Sequence, residues 1–550
     1  MEQLLSEFFT EEIARKTGFI EDHGRGRGDP SITGLEYDSR KIKPGNIYFA
    51  LPGLHTDGHR FIPDAIKNGA AVIIHQDEIS KYQQGVSYFR VKDSRFAMSP
   101  LSAAFYDNPS RKLILIGVTG TEGKSTTVYL IYQLLKLAGK KAGFLSTVQY
   151  SDGKTENWNP EHQTTPEATA IHRLLAEMVN NGAEYGVIET SSHGLSPRTN
   201  RLGDVVFDVA VMTNVTHEHL EFHGTWEQYR DDKANLFRSL DRFDHTKDTH
   251  PKKPAKKKPD KLSPPSFGVV NADDPSAGFF AAATRHKTYT YSTRGNSADL
   301  SLNLISSGVR GNWYEALIRE TGEIVTIRDQ LPGAFNAGNV LAGLLAVSGL
   351  LSTPIKNLVP LVTQFKPVRG RMTIIQKGQP FDVFVDYAHT PSSFEAIFPP
   401  LRERLNKPGG VRGGRIISLF GSAGERDTKK RSEQGRIAAQ WSDLIFLTDE
   451  DPRGENPMDI LEEIAQGCET YQGCEAYQGC KKWKRGKNLY LIPDRPKAIR
   501  KAFSLARPGD MVLLLGKGHE NSIIYAEKTM AYDEITEAGK ALAEMGWTGT

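Results

Sequence analysis

Short apolar runs alternate with amphipathic stretches from the start of the chain. Over residues 1–110, the β-like runs NIYFAL, AVIIH and VSYFRV are separated by helix-like stretches such as HRFIPDAIKNGA. Pro44 and Gly45 stand where the chain enters the first of these runs, and both residue types favour a turn at such a position. The pattern predicts a small α/β domain over residues 1–110.

A second series of apolar runs occupies residues 111–367. LILIGV is followed by a glycine-rich turn and an amphipathic helix, and the runs YGVIET and FDVAVMTNV come later. Continuous apolar runs are typical of parallel strands that are buried on both faces. An apolar helix within LPGAFNAGNVLAGLLAVSGL closes the series. We therefore predict a doubly wound parallel sheet for this central domain.

The third series occupies residues 368–550. It contains FDVFVDYA, RIISLFGSAG, LIFLTDEDP, NLYLIPD and MVLLLGKGHE, and each is a short apolar strand that ends in polar or glycine residues. In open α/β sheets, the ligand-binding groups lie beyond the carboxyl ends of the strands. The chain is therefore predicted to be a three-domain α/β protein with a Rossmann-like domain at its carboxyl end.

Two segments of low complexity interrupt this pattern. Residues 244–266 are rich in lysine and proline. This composition predicts a solvated insertion loop in the central domain, although an arm that binds nucleic acid or a protein partner would share it. The tandem repeat GCETYQ-GCEAYQ-GCKKWK carries Cys468, Cys474 and Cys480. Cysteines at six-residue spacing without a nearby histidine do not match a zinc site, so we predict a surface extension.

Composition narrows the class of protein. A chain of 550 residues is too long for one ordinary core, and its net charge of +3 gives no strong attraction to nucleic acid or membrane. No apolar run approaches the roughly 20 residues that cross a bilayer, and the first residues lack the pattern of a signal peptide. Three cysteines, an odd number, favour a reducing compartment. We expect a cytoplasmic, monomeric enzyme that acts on small molecules.

The strongest chemical signal is the sequence GVTGTEGKSTT at residues 117–127. A buried strand, a glycine-rich loop, a lysine and a hydroxyl residue at a helix start form a phosphate cradle, in which backbone N–H groups meet the negative charge. Valine stands at position 118, where the common pattern has glycine. The pattern predicts that Lys124 reaches the outer phosphates of ATP and that Ser125 binds Mg²⁺. The remaining ATP-binding candidates in the loop are Gly120, Thr121, Gly123 and Thr126.

Polar side chains follow two further predicted strands. Glu189 ends the run YGVIE, and the cluster after FDVAVMTNV consists of His217, Glu218, His219, Glu221 and His223. Because the carboxyl ends of parallel strands meet at one edge of a sheet, these groups are predicted to lie near the glycine-rich loop. Carboxylates and imidazoles beside a nucleotide loop favour a Mg²⁺ and substrate site.

Nine motifs, in a fixed order, resemble those of the Mur ligases. They are TGTEGKSTT, ETSSHGL, TNVTHEHLEFHGTWEQYRDDKANLF, GAFNAGN, RGRM, VDYAHTP, FGSAGERDTKKR, DEDPRGENP and LLGKGHE. In the first domain, DSRKIKPGNIYFALPG and DGHRFIPDAIKNGAAVII are similar to the uridine-nucleotide-binding domain of that family. The resemblance covers nearly the whole chain, and the lysine- and proline-rich insertion and the cysteine repeat fall outside it.

The resemblance implies an ATP-dependent ligase of peptidoglycan precursor synthesis, and so a part in cell-wall biogenesis, cell shape and cell division. Such a ligase moves the γ-phosphate of ATP to the glutamyl carboxylate of UDP-N-acetylmuramoyl-L-alanyl-D-glutamate. The amine of a diamino acid then attacks the acyl phosphate. That diamino acid would be meso-diaminopimelate, L-lysine or L-ornithine. ATP and Mg²⁺ are the implied cofactors, and one lysine would be carbamylated.

The resemblance also implies catalytic and metal-binding roles. Lys124 would contact the phosphates, and Ser125 with Glu189 would hold one Mg²⁺. His219 and carbamylated Lys233 would hold a second, since carbamylation turns an ammonium into a carboxylate-like ligand. A cation from the third domain, Arg426, would stabilise the charge on the transferring phosphoryl group.

Further contacts to the two large substrates are implied by the same motifs. The nucleotide-contacting amides would be Asn336 and Asn339, and the groups of the third domain that close over ATP would be Asp386, His389 and Arg426. The contacts to the muramoyl-dipeptide would be Thr164, Thr165, Ser191, Ser192 and Arg201. In the common form the arginine follows the serine pair more closely, which leaves Arg198 as the alternative to Arg201. The uridine-diphosphate end would meet Ser39 and Arg40.

The acceptor amino acid would meet Arg453, Gly516 and Glu520. Where meso-diaminopimelate is used, the family motif usually reads D-N-P-R, whereas this chain has Asp451 in the place of the asparagine. The added negative charge would favour the ammonium end of lysine or ornithine. Arg453 would still suit the second carboxylate of diaminopimelate. The sequence therefore leaves the diamino acid open, with a slight preference for diaminopimelate.

Two other kinds of function stay open at this point. Another three-domain amide ligase, of a sister Mur or folylpolyglutamate type, would keep Lys124 and Lys233 but need a different first domain. A nucleotide-dependent binding protein would use the basic insertion to bind nucleic acid, with an affinity that falls steeply as salt rises. The segment DSRKIKPG argues against the first alternative, and the motifs of the third domain argue against the second.

Overall fold

The structure is a computed structural model, and it describes residues 2–23, 28–53, 56–159, 163–216, 220–248, 261–308, 311–406, 414–471 and 482–549. The chain divides into two compact units. The first holds residues 1–306, 312–329 and 334–365, and the second holds residues 307–311, 330–333 and 366–550.

The amino-terminal part of the first unit forms its own sheet. Its elements are β1 (Gln3–Leu4), α1 (Leu5–Phe8), α2 (Glu11–Lys16), β2 (Phe19–His23), β3 (Ser31–Ile32), β4 (Gly34–Glu36), β5 (Asn46–Phe49), α3 (Ile62–Lys67), β6 (Val72–His75), β7 (Ser87–Val91) and α4 (Ser94–Phe105). The sheet order is β2-β7-β6-β5-β4, parallel except between β2 and β7. Alternate residues of β5 and β6 enter two separate apolar clusters, so both faces of this sheet are buried.

The rest of the first unit is built on a much larger sheet. Its elements are β8 (Ile114–Thr119), α5 (Lys124–Leu137), β9 (Ala142–Leu145), β10 (Gln149–Ser151), β11 (Glu156–Trp158), α6 (Ala168–Asn180), β12 (Tyr185–Glu189), α7 (Ser192–Leu195), β13 (Val209–Met212), α8 (Leu220–His223), α9 (Trp226–Arg242), β14 (Lys247–Asp248), β15 (Lys261–Leu262), β16 (Phe267–Asn271), α10 (Ala277–Ala281), β17 (Thr288–Ser292), β18 (Leu300–Gly308), β19 (Gly311–Ile318), β20 (Glu323–Asp329), α11 (Asn336–Leu351) and α12 (Ile355–Val362).

Eleven of these strands pair in the order β11-β10-β9-β12-β8-β13-β16-β17-β18-β19-β20. The seven from β9 to β18 in that order are parallel to one another, and antiparallel strands lie at the edges. Helix α11 packs against α5. The order places β8 between β12 and β13, so the carboxyl ends of these three strands meet at one edge of the sheet.

The second unit contains a separate six-stranded sheet. Its elements are β21 (Thr373–Ile375), β22 (Asp382–Asp386), α13 (Pro391–Asn406), β23 (Ile416–Phe420), α14 (Lys429–Trp441), β24 (Leu444–Leu447), α15 (Pro457–Thr470), β25 (Leu489–Leu491), α16 (Arg495–Leu505), β26 (Met511–Leu515), β27 (Ser522–Ile524), β28 (Thr529–Ala531) and α17 (Glu534–Glu544). The order is β21-β22-β26-β23-β24-β25, parallel except between β21 and β22. Two apolar clusters cover its two faces.

The α/β class and the strands predicted from continuous apolar runs are confirmed. The antiparallel strands β19 and β20 were not predicted, because their residues alternate between buried and exposed positions and carry few long apolar runs. Within the residues described above, no helix is both long enough and apolar enough to cross a bilayer.

The base of the lysine- and proline-rich insertion is part of the fold, contrary to the prediction of a solvated loop over residues 244–266. Residues 249–260 lie outside the described part of the chain, but β14 and β15 pair on either side of them. Lys247 is only 2% exposed, and its Nζ lies 2.9 Å from a carboxylate oxygen of the buried Asp208. The same Nζ donates to the carbonyl oxygen of Ser110 at 3.0 Å.

The cysteine repeat also begins inside the core rather than in a surface extension. Cys468 lies near the end of α15, has no exposed surface and donates to the carbonyl oxygen of Gly435 at 3.3 Å. Burial raises the pKa of its thiol well above the ordinary range. Cys474 and Cys480 lie outside the described residues.

We predict that Lys247→Met lowers the free energy of unfolding by about 3 kcal/mol, because it removes the lysine from the buried Asp208 carboxylate and leaves only His245, 3.0 Å away, as a basic partner. Chemical denaturation measures the change. The matched control is Lys261→Met, which alters an exposed lysine of the paired strand β15 and should change stability by less than about 0.5 kcal/mol. Equal unfolding midpoints for the two variants would contradict the prediction.

Candidate active site

The glycine-rich loop leaves the middle of three parallel strand ends. Val118 of β8 pairs with Glu189 of β12, and Thr119 pairs with Met212 of β13. Val118 is a buried strand residue, which explains why valine replaces the first glycine of the common pattern: the loop begins only after Thr119. Polar groups at the ends of β12 and β13 therefore flank the loop on both sides.

Two glycines of the loop are required by close contacts. A Cβ on Gly120 would lie 1.9 Å from the Oγ1 of Thr213, and a Cβ on Gly123 would lie 2.6 Å from the Oδ1 of Asn339. Gly123 also has a φ of +83°, in the left-handed region that glycine adopts without strain. These contacts hold the loop against the end of β13 and the start of α11.

Thr213 and Asn214, which follow β13, bind the loop through its backbone. The N–H groups of Thr121 and Glu122 donate to the carbonyl oxygen and the Oδ1 of Asn214, each at 2.8 Å. The hydroxyl of Thr213 donates to the carbonyl oxygen of Glu122 at 2.6 Å. Sequence reasoning missed this role, although the pair stands in the TNV segment after a predicted strand.

The phosphate-binding candidates of the loop differ in their accessibility. Lys124 is partly exposed, and its Nζ donates to the carbonyl oxygen of Thr121 at 2.6 Å, so the cation folds over its own loop. Ser125 is buried in the first turn of α5, and Thr126 is partly exposed. The hydroxyl of Thr121 points inward, 3.1 Å from the hydroxyl of Tyr229. Lys124 and the first N–H groups of α5 are thus the groups suited to phosphate oxygens.

Glu189 fits a Mg²⁺ ligand. It is 1% exposed, and its Oε2 accepts the N–H of Thr147 at 2.8 Å. Glu189 is the last residue of β12 and pairs with Val118 of β8, so its carboxylate stands at the strand end from which the loop leaves. With the hydroxyl of Ser125 at the start of α5, this is the oxygen donor set that Mg²⁺ prefers. His219, the predicted ligand of a second ion, lies outside the described residues.

Lys233 lies on the buried face of α9 and reaches the loop. It is 1% exposed, and its Nζ donates to the carbonyl oxygen of Gly120 at 2.6 Å. The same Nζ lies 4.4 Å from the centre of the Tyr229 ring. The structure therefore brings Lys233 and the phosphate loop together, although 113 residues separate Lys233 from Gly120 in sequence.

Asn336 and Asn339 begin α11 and are both buried. Asn339 donates through Nδ2 to the Oδ1 of Asn336 at 2.9 Å, and its own Oδ1 accepts the hydroxyl of Thr127 at 3.0 Å. Thr127 lies in α5 and has no exposed surface. Asn339 therefore joins α11 to the helix that carries the loop.

Four of the predicted contacts to the muramoyl-dipeptide lie at the end of β12. The hydroxyl of Thr165 donates to the carbonyl oxygen of Glu189 at 3.0 Å and accepts the N–H of Ser191 at 2.9 Å. Ser191 caps α7, because its Oγ accepts the N–H of Gly194 at 3.1 Å. Ser192 is buried at the first position of that helix, and Thr164 is partly exposed.

Arg201, and not Arg198, joins this group. Its guanidinium donates to the carbonyl oxygen of Thr165 at 2.7 Å and to a carboxylate oxygen of Glu167 at 2.9 Å. Arg95 of α4 donates to the same oxygen at 2.6 Å, which ties the amino-terminal domain to this site. Arg198 is exposed and donates to the carbonyl oxygen of Phe222 at 3.0 Å.

The uridine-diphosphate candidates stand on a short turn between β4 and β5. Ser39 is buried, and its carbonyl oxygen accepts the side-chain amide of Asn68 at 2.9 Å. The side chain of Arg40 is 87% exposed, and Asp38 holds it with two hydrogen bonds of 2.9 and 2.8 Å. The guanidinium of Arg40 is therefore exposed to solvent, and its ion pair with Asp38 restricts its orientation.

In the second unit, the ATP-closing candidates fall into two kinds. Both carboxylate oxygens of Asp386 accept backbone N–H groups, from Met372 and Ala388, each at 2.7 Å, and burial raises its pKa. His389 directs its Nδ1 to the carbonyl oxygen of Tyr387 at 2.8 Å. Both residues shape the turn after β22. Arg426 lies exposed between β23 and α14.

The acceptor candidates surround a buried lysine that the sequence analysis did not single out. The Nζ of Lys517 lies 2.9 Å from Asp451 and 2.5 Å from Glu520, and its side chain has no exposed surface. Burial alone would lower the pKa of Lys517, but the two carboxylates raise it above its ordinary value. One ammonium therefore faces two carboxylates, and the carboxylate of Asp451 is held by Lys517.

Two residues close to these in sequence have buried side-chain atoms without a hydrogen-bond partner among the described residues. The Nε of Arg453 and the Oε2 of Glu450 form no hydrogen bond to any described residue. A Cβ on Gly516 would lie 2.7 Å from that Oε2, which explains the need for glycine there. A guanidinium and a carboxylate with unused capacity suit the carboxylate and the ammonium of an amino acid. Glu450 is a site candidate that sequence reasoning missed.

Comparison with known proteins matches three stretches of the chain to one family. The Mur ligase family, catalytic domain matches residues 31–106, the Mur ligase middle domain matches residues 118–246, and the Mur ligase, glutamate ligase domain matches residues 370–518. The three matches follow the order of the three sheets.

Similar proteins extend over nearly the full length. The UDP-N-acetylmuramyl-tripeptide synthetase of Treponema denticola is 49% identical over 535 residues, which cover 93% of this chain and 94% of the relative. The UDP-N-acetylmuramoyl-L-alanyl-D-glutamate–2,6-diaminopimelate ligase of Caldanaerobacter subterraneus is 34% identical, with coverage of 94% and 96%. A solved structure of a ligase with that same activity in its name aligns with a TM-score of 0.56 at 25% identity, with coverage of 94% and 95%. The chain belongs to the Mur ligase family.

Proposed function

We propose that this chain is the ATP-dependent ligase that adds a diamino acid to UDP-N-acetylmuramoyl-L-alanyl-D-glutamate. The observation that carries the proposal is the convergence of Lys124, Glu189 and Lys233 on one edge of the central sheet, in a member of the Mur ligase family. The names of two relatives, a UDP-N-acetylmuramyl-tripeptide synthetase and a UDP-N-acetylmuramoyl-L-alanyl-D-glutamate–2,6-diaminopimelate ligase, support the proposal.

The reaction has two steps. The glutamyl carboxylate attacks the γ-phosphorus of ATP, and ADP leaves to give an acyl phosphate. The amine of the diamino acid then attacks the acyl carbon, phosphate leaves, and the amine loses a proton. The charge that develops on the phosphoryl oxygens has to be neutralised by fixed cations and donors.

We propose that Lys124 and the first N–H groups of α5 bind the phosphates, and that Arg426 supplies a further cation. Ser125 and Glu189 would hold a Mg²⁺ ion, which screens the phosphate charge when bound. Lys233 would be carbamylated, which exchanges its positive charge for a negative, metal-binding group. Asn339 is proposed to position the loop rather than to touch the nucleotide, since both ends of its amide are used by Thr127 and Asn336.

For the acceptor, we propose that Arg453 binds a carboxylate and that Glu450 and Glu520 face the ammonium groups. The buried ammonium of Lys517 lies between the carboxylates of Glu520 and Asp451 and holds both in place. An amino acid with two amines satisfies these groups, and a second carboxylate, as in meso-diaminopimelate, would use the spare donors of Arg453.

We also propose a cytoplasmic, monomeric enzyme with domain boundaries near residues 110 and 367. These positions fall in the gaps between the three sheets, after α4 and after α12.

The first prediction of this proposal concerns turnover. Phosphate release from ATP and Mg²⁺, with UDP-N-acetylmuramoyl-L-alanyl-D-glutamate present, should require one of meso-diaminopimelate, L-lysine or L-ornithine. Lys124→Ala should abolish release and leave binding of the muramoyl-dipeptide intact, because it removes only the phosphate cation. An absence of release with all three acceptors would contradict the proposal.

A second prediction concerns the lysine of α9. Lys233→Ala should lower kcat by about 100-fold or more, and a short carboxylic acid such as acetate should restore part of it by replacing the carbamate. Lys154→Ala, which alters an exposed lysine of the same unit, should keep full activity and show no response to acetate. Wild-type turnover in Lys233→Ala would remove the carbamate from the proposal.

A third prediction tests the positioning role of Asn339. Thr127→Val leaves the Oδ1 of Asn339 without its donor and should weaken ATP binding about tenfold, with a loss of stability of about 1–3 kcal/mol. Thr127→Ser keeps the hydroxyl and should retain both. ATP titration by calorimetry and chemical denaturation give the two values. Equal ATP affinity in Thr127→Val and Thr127→Ser would show that the contact between Thr127 and Asn339 does not position the loop.

A further inference from the structure

Three buried polar side chains form a continuous line beside the dipeptide-binding turn. The Nε2 of His223 lies 3.0 Å from the Oγ of Ser192, and its Nδ1 lies 2.8 Å from the Oδ2 of Asp232. All three residues are at most 3% exposed. They come from three different helices, α7, α8 and α9.

The chemistry of the partners sets the direction of these hydrogen bonds. The carboxylate of Asp232 only accepts, so the Nδ1 of His223 carries the proton and donates to it. In the neutral ring, Nε2 then accepts the hydroxyl of Ser192. The second oxygen of Asp232 accepts the side-chain amide of Gln228, one turn earlier on α9, at 3.0 Å. Both ring nitrogens of His223 and both carboxylate oxygens of Asp232 therefore have a hydrogen-bond partner.

Serine, histidine and aspartate are also the residues of hydrolytic triads. A nucleophile has to reach its substrate, however, and Ser192 is 1% exposed at the start of α7. The ring of His223 is enclosed as well, with the rings of Phe222 and Tyr229 packed edge-on at 4.7 and 5.3 Å. The arrangement suits the fixing of positions rather than nucleophilic attack.

The Ser192 end of this line adjoins the dipeptide-binding turn, and the Asp232 end adjoins Lys233, which contacts the phosphate loop. Ser192 follows Ser191, whose N–H is held by Thr165 in the predicted dipeptide-binding group. Asp232 precedes Lys233, whose Nζ reaches the loop carbonyl of Gly120. Asp232 is joined to α7 through His223, and also by a side-chain hydrogen bond from Ser196 at the end of that helix. These bonds fix the rotation of α9 about its axis, and with it the direction of Lys233.

We propose that His223 is a positioning residue, which holds α9 against α7 so that Lys233 meets the phosphate loop when the dipeptide turn is in place. The proposal rests on the proposed ligase function. It assigns to His223 no contact with substrate or metal, and it makes Ser192, His223 and Asp232 act as one unit. Groups that act as one unit give effects that do not multiply.

A double-mutant comparison tests this unit. His223→Phe keeps the ring and removes both nitrogens, and should lower kcat about 100-fold with less than about a threefold change in the KM for ATP. Ser192→Ala should lower kcat about tenfold. The double variant should be no more than about twofold slower than His223→Phe alone. Asp231→Asn, an exposed neighbour on α9 that pairs with Arg238, is the matched control and should keep wild-type kcat.

The proposal is overturned by effects of Ser192→Ala and His223→Phe that multiply, and equally by a kcat within threefold of wild type in His223→Phe. If His223→Phe does not fold, His223→Gln replaces it, because its amide retains a partner for Ser192 but loses Asp232. Hydrogen exchange supplies a readout without turnover: exchange should rise in both the α7 turn and the phosphate loop of the His223 variants, and not in Asp231→Asn. A wild-type protein without phosphate release would contradict the ligase function, whereas unchanged exchange at the loop would contradict the positioning role.

Discussion

The burial of two neighbouring charges on α9 constrains the rest of this site. Asp232 and Lys233 stand on the face of the helix that also buries Tyr229, Leu236 and Phe237. Unpaired charges cost several kcal/mol in such surroundings, so each needs a partner inside the protein. Lys233 finds the carbonyl of the phosphate loop, and Asp232 finds His223 and Gln228. Helix α9 thereby connects the loop to the dipeptide-binding turn.

Close contacts with residues of other segments shape the phosphate loop, in addition to its own sequence. Gly120 and Gly123 stand where Thr213 and Asn339 leave no room for a Cβ. Asn214 then takes the backbone N–H groups of the first half of the loop. The N–H groups at the start of α5 remain for phosphate oxygens, and the ammonium of Lys124, which donates to the carbonyl oxygen of Thr121, lies beside them. Backbone N–H groups at a helix start together with a nearby cation suit the binding of phosphate.

In the second unit, the buried ammonium of Lys517 pairs with Asp451, a residue that departs from the common motif. Asp451 replaces the asparagine of the common motif, and alone it would add negative charge to the acceptor site. Lys517 pairs with Asp451 from the interior and holds Glu520 with the same ammonium, so one positive charge faces two negative ones. Arg453 and Glu450, one of each sign, have side-chain atoms without a partner among the described residues. The carboxylate of Asp451 is therefore engaged inside the protein, whereas these two groups retain unused hydrogen-bonding capacity.

The sequence by itself determined the α/β class, the order of the three sheets and the phosphate loop. Continuous apolar runs mark buried parallel strands, and a lysine after a glycine-rich turn has few other uses. It also pointed to Glu189 and Lys233, through motifs shared with the family. Contacts between distant segments were decided only by the tertiary structure: those of Arg201 with Thr165 and Glu167, the pair of Lys517 with Asp451, the burial of Lys247, and the line from Ser192 to Asp232. Each depends on which side chains share a buried space, and neither periodicity nor spacing along the chain records that.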